Sequence, residues 1–121
     1  MVSKVKRGQI WEVDFDPQTH KEEPGKRNRP ALVIQTELLN NAGHPTTIVI
    51  PGTTQVRRDK DYFPLRVALV NQRGLAQETD LLVDQVRAIS NARFMGTVPL
   101  ATLSTNHLKR VEAALKLLTG T

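Results

Sequence analysis

Apolar and polar positions change period along this chain, and the changes mark its elements. In residues 10–15, Ile10, Glu12 and Asp14 alternate with Trp11, Val13 and Phe15. This two-residue period predicts a first strand with the second set on its core face. Gly8 is read as the end of a flexible basic leader, and Asp16-Pro17 closes the strand, because proline lacks the N–H a ladder needs. Residues 18–29 are polar and contain Pro24 and Gly25. They predict an irregular loop of a length that is usually either disordered or functional. Ala31 to Gln35 is continuously apolar through Ile34, the pattern of a central strand covered on both faces. Leu38 to Asn41 predicts a short helical turn, and residues 40–45 form a turn cluster. The β-branched run from Thr46 to Ile50 predicts a third strand. A second polar loop is expected from Gly52 to Tyr62. Further strand-like pieces are Leu65 to Val70, Leu81 to Val83 and Val86 to Ile89, with an edge piece at Gly96 to Val98.

The period then lengthens. Leu108, Val111, Leu115 and Leu118 are spaced three, four and three, which puts them on one stripe of a helix. Ser104 or Thr105 suits its N-cap and Gly120 its C-terminal cap. Lys109, Arg110 and Lys116 fall off the stripe. Together these elements predict a mainly β chain: a small, strongly bent antiparallel sheet, open or closed as a barrel, covered by a C-terminal helix. A length of 121 residues makes a single domain over residues 1–121 the expectation.

Composition narrows the chemistry. The formal charge of +5 favours a polyanionic partner. Cysteine is absent, which excludes a disulfide framework and thiol catalysis. His20, His44 and His107 are far apart and lack metal-site spacing, so no metal or other cofactor is expected. The first eight residues do not read as a signal peptide, and no apolar run has membrane-spanning length. The cytoplasm is the simplest location, with no membrane contact.

Two polar segments join apolar strands and carry the candidate chemistry. The first, residues 22–30, leads into Ala31; the second, residues 51–55, follows Ile50. Arg29, held extended by Pro30, presents a planar fork that suits two phosphate oxygens. The bland alternative is a solvated arginine paired with Glu22 or Glu23. Glu22 and Glu23 are possible general bases toward a ribose 2′-hydroxyl, or simply part of a mixed-charge loop with Lys21, Lys26 and Arg27. Thr53 and Thr54 after Gly52 could bind a non-bridging phosphate oxygen, or merely stabilise a turn. Arg57 and Arg58, near Tyr62 and Phe63, offer phosphate contact beside a stacking ring. With five aromatics in the whole chain, the core competes for them. Asp84 and Arg87 interrupt a strand-like region, either to support a site or subunit contact or as a β-bulge held by an aspartate.

Four segments, in order, resemble the MazF/PemK-type toxins. They are Arg7-Gly8-Gln9-Ile10-Trp11-Glu12-Val13-Asp14-Phe15-Asp16-Pro17, Arg29-Pro30-Ala31-Leu32-Val33-Ile34, Pro51-Gly52-Thr53-Thr54-Gln55 and Leu82-Val83-Asp84-Gln85-Val86-Arg87-Ala88-Ile89. The resemblance implies an SH3-like barrel and a homodimer. It also implies an endoribonuclease that cuts single-stranded mRNA at short motifs without a metal, leaving a 2′,3′-cyclic phosphate and a 5′-hydroxyl. It carries the family's arginine onto Arg29, its threonine onto Thr53 and its glutamate onto Glu22. His20, Glu23, Arg27, Thr54, Gln55, Arg57, Arg58 and Arg87 are the expected RNA contacts. An acidic antitoxin of MazE type is the implied protein partner. Two rival readings are a non-catalytic RNA-binding module and a toxin that binds a protein target such as a topoisomerase.

Overall fold

The computed structural model describes residues 4–15, 28–56 and 65–121. Its strands are β1 (Gln9–Asp14), β2 (Asn28–Val33), β3 (Thr46–Thr53), β4 (Arg66–Leu69), β5 (Thr79–Leu82), β6 (Arg87–Ser90) and β7 (Ala101–Thr102). The helices are α1 (Glu37–Asn41) and α2 (Thr105–Thr119). The strands follow the order β4-β5-β3-β2-β1-β7, with β6 also against β3. All their pairings are antiparallel.

The long β3 organises the sheet. It pairs with β6 over Thr46 to Val49 and with β5 at Gly52 and Thr53. Pro51 stands between those two stretches, where a missing N–H interrupts the ladder least. The strand therefore continues through Pro51 and Gly52 to Thr53. The second polar segment, expected to begin as a loop at Gly52, begins inside a strand.

Each sheet face carries its own apolar cluster. One includes Ile10, Leu32, Ile50, Leu81 and Val111 and lies under α2. The other includes Trp11, Val13, Phe15, Ala31 and Phe94. The expected core face of β1 is thus correct, but Ile10 is also fully buried, because β1 is covered on both sides. Helix α2 starts at Ser104, whose Oγ accepts from the His107 N–H at 3.2 Å. It ends at Gly120, left-handed at φ 75°. Its buried residues are Val111 and Ala114. Leu118, expected on the stripe, is exposed, since the stripe drifts off the sheet in the last turn.

Two further expectations need correction. Gly8 does not end a loose leader. Its N–H donates to the Val33 carbonyl at 2.9 Å, its carbonyl accepts from Leu103 at 2.8 Å, and Val5 before it is buried. Its φ of +94° explains the glycine. Nor do residues 96–98 form an edge strand. Gly96 turns to φ +80°, which an extended ladder does not sustain, and the edge pairing falls to β7 against Gln9 and Ile10.

Arg7 knots the N-terminal segment to both helices. Its N–H donates to Glu37 Oε1 at 2.8 Å, its Nε to the Ile34 carbonyl at 3.1 Å, and its Nη2 pairs with Glu112 at 2.9 Å. The Arg7 N–H and the Asn40 side-chain amide both stabilise the charged Glu37 carboxylate and hold its pKa below the ordinary value.

Candidate active site

The registers assemble the candidate residues on one sheet face. Val13 in β1 faces Arg29 in β2. Ala31 faces Pro51 in β3, the last pair of that ladder, and Arg29 and Thr53 each lie two residues beyond it on the same face. Thr53 faces Asp80 in β5, and Asp80 faces Ala68 in β4. Side chains two apart on a strand share a face. Arg29, Thr53, Asp80 and Arg66 therefore share one face across four strands, with Phe15 just beyond the end of β1, and that face is continuous with the cluster that contains Trp11 and Val13.

Arg29 is 3 % exposed. Its Nε donates to the Gly52 carbonyl at 3.1 Å, which fixes the guanidinium beside Thr53. Residue 52 must itself be small, for a separate reason. A Cβ at residue 52 would meet Thr79 Cγ2 at 2.8 Å and the Pro30 carbonyl at 3.3 Å. Phe15, itself buried, supplies a plate for two cations. The Cζ atoms of Arg29 and Arg87 each lie 5.5 Å from its ring centroid, so the two guanidiniums are no more than twice that distance apart. Each contact contributes on the order of 1 kcal/mol. Arg87 comes from the start of β6, opposite Val49.

Thr53 is 4 % exposed, and its Oγ1 accepts from the Gln55 N–H at 3.1 Å. That bond occupies oxygen lone-pair capacity and leaves the hydroxyl proton for an acceptor. A cationic fork and a hydroxyl donor side by side at a strand end suit a phosphate group.

The structure thus brings together Arg29, Thr53 and Arg87 from the expected set. Thr54 is half-buried and Gln55 exposed directly after Thr53. His20, Glu22, Glu23, Arg27, Arg57, Arg58, Tyr62 and Phe63 lie outside the described residues. Asp84 is exposed in a 3₁₀ turn spanning Val83–Gln85. That turn closes through the Val86 N–H to the Val83 carbonyl at 3.2 Å, so the β-bulge held by an aspartate is not found. His44 lies in the turn after α1 and His107 in the first turns of α2. Among the described residues, no group of three or more His, Asp or Glu could hold a metal.

Three participants escaped the sequence reading. Phe15 was assigned to the core alone, although strand alternation already puts it on the face and diagonal of Arg29. Arg66 and Asp80 drew no attention, because only the β4–β5–β3 registers make them neighbours of the Thr53 turn.

A family model described as the PemK-like, MazF-like toxin of type II toxin–antitoxin systems matches residues 6–119. The chain belongs to this toxin family. Among curated proteins, the toxin is similar to endoribonuclease MazF9 of Mycobacterium tuberculosis, with 29% identity over 93% of this chain and 94% of that protein. Among solved structures it is similar to MazF from Deinococcus radiodurans, with a TM-score of 0.76, 24% identity and 97% of each chain covered. It also resembles an endoribonuclease from a mycobacterial species in complex with its cognate antitoxin, with a TM-score of 0.70 and 16% identity over 96% of this chain and 95% of that one. The toxin shares their fold, a curled, mostly β sheet with a C-terminal helix.

Proposed function

We propose that this toxin is a metal-independent endoribonuclease that cuts single-stranded mRNA at short motifs, using the RNA's own 2′-hydroxyl as nucleophile. One observation carries the reading: the buried Arg29 guanidinium is fixed to the carbonyl of Gly52, the residue before the buried Thr53. The toxin family and the name of its curated mycobacterial relative support it. In the reaction, the 2′-oxygen attacks the adjacent phosphorus while the bond to the 5′-oxygen breaks. The products are a 2′,3′-cyclic phosphate and a 5′-hydroxyl. Arg29 and Thr53 bind the non-bridging oxygens and stabilise the extra negative charge of the phosphorane. Arg87, also over the Phe15 ring, adds positive charge. Glu22 is the assigned base for the 2′-hydroxyl proton, and the leaving 5′-oxygen takes up a proton from solvent water. Alignment of nucleophile and leaving group supplies much of the acceleration, because the substrate carries both.

The whole chain acts as one toxin domain in this reading, and two copies form a homodimer with RNA across their groove. An acidic antitoxin of MazE type covers Arg29 and excludes RNA. The antitoxin-bound structural neighbour supports this partner class. Cleavage assays on mixed-sequence RNA test the assignment. Arg29→Ala should lower turnover by at least about 100-fold, the effect of removing one preorganised donor to a developing charge. Lys109→Ala, on the exposed side of α2, should leave turnover unchanged. Equal activity in both variants would refute the site, and RNA bound but recovered intact by the wild type would indicate a binding module instead.

A further inference from the structure

The turn that presents Thr53 has a brace of its own. Asp80 is fully buried and stands directly opposite Thr53. Arg66 Nη1 reaches Asp80 Oδ2 at 3.1 Å and the Gln55 carbonyl, also at 3.1 Å. A single guanidinium nitrogen therefore ties β5 to the residue two positions beyond Thr53. The amide N–H of that same Gln55 donates to Thr53 Oγ1 at 3.1 Å. The connection runs from a buried carboxylate, through Arg66 and the backbone on either side of the Gln55 Cα, to the hydroxyl at the site.

Stability alone is a poor explanation of this arrangement. A buried ion pair seldom outweighs its own desolvation, and packed apolar residues often serve as well. What an apolar pair would not do is hold the Gln55 carbonyl. With that carbonyl held on one side of the Gln55 Cα and the N–H bonded on the other, rotation about the Gln55 backbone is restrained. This favours the N–H aimed at Thr53 Oγ1 and turns the threonine proton away from it. Resting on the phosphate role proposed for Thr53, we infer that Arg66 and Asp80 are positioning residues that aim the Thr53 hydroxyl at the scissile phosphate. They act through the backbone of Gln55.

The test replaces the pair by an apolar one, Arg66→Met with Asp80→Leu, in the full chain. This avoids leaving one charge buried alone. Turnover of an RNA oligonucleotide should fall about 10- to 100-fold, the scale of a sub-ångström to ångström misplacement. KM should stay within about twofold, because the loss lies in the transition state. In a Thr53→Ala background, the same replacement should change turnover by less than about twofold, since both changes remove one function. Arg66→Lys, which keeps a donor and a charge, should recover most of the activity and also serves if the apolar pair fails to fold. Hydrogen exchange at the Gln55 amide should accelerate in the apolar variant. Unchanged turnover in a folded variant would overturn the inference, as would an equal loss with Thr53 absent. If the wild type does not cut RNA, the proposed function fails by itself. Gln55 exchange then still decides the brace: faster exchange supports it and unchanged exchange removes it.

Discussion

At the residue scale, the site depends on short distances that small substitutions test. Gly52→Ala places a methyl group 2.8 Å from Thr79 Cγ2. Thr79 is buried, and its Oγ1 is engaged with the Gln77 carbonyl at 3.0 Å, so it cannot swing aside freely. Overpacking of this kind costs about 1–3 kcal/mol. Denaturant unfolding of Gly52→Ala should show that loss, and its cleavage rate should fall further than stability explains, because the Gly52 carbonyl also holds Arg29. Full activity in a folded Gly52→Ala would show that the Arg29–Gly52 contact is dispensable. Arg29 and Thr53 were legible in the sequence because each adjoins a recognisable strand and carries phosphate-binding chemistry. Asp80 was not, since in the run Glu78-Thr79-Asp80 it looks like a solvated residue. Its complete burial comes from strand register, which no local pattern specifies.

At the element scale, period and capping chemistry located most strands and both helices, while the joints between them differed. The sequence pattern ends β3 at Ile50, because Pro51-Gly52 usually signals a turn. The strand passes through, since β5 takes over where β6 stops. The N-terminal segment was read as loose, because its partners, Val33, Glu37, Leu103 and Glu112, are distant in sequence. That knot makes a pH prediction. The Glu37 carboxylate is held below its ordinary value of 4.5, first by the Arg7 N–H and then by Asn40. A depressed carboxylate contributes stability that is fully present above the unfolded value and is lost as pH falls through the folded one. The stability difference between wild type and Glu37→Gln, followed by thermal unfolding, should be constant above about pH 5.5 and shrink as pH falls below 4.5. A difference that grows on acidification would contradict this bonding.

At the scale of the whole molecule, the resemblance read from four segments leads to the family whose model spans residues 6–119. The fold of its solved neighbours matches the bent sheet and C-terminal helix expected from periodicity. Assembly is a separate matter, because a dimer contact leaves no periodic trace in one chain. Sedimentation at micromolar concentration should show a species of about twice the 13.5 kDa chain mass, and a strict monomer would refute the proposed dimer. Affinity for RNA should fall with added salt, as expected where cations replace condensed counterions. The antitoxin proposal predicts that a MazE-type acidic segment abolishes cleavage by the wild type. Segment binding without loss of cleavage would place that contact away from Arg29. The most direct measurement of the central claim is end-group analysis of single-stranded RNA treated with the purified protein in excess EDTA. The account predicts cleavage with 2′,3′-cyclic phosphate and 5′-hydroxyl termini. A requirement for a divalent ion, or products ending in a 3′-hydroxyl, would contradict it.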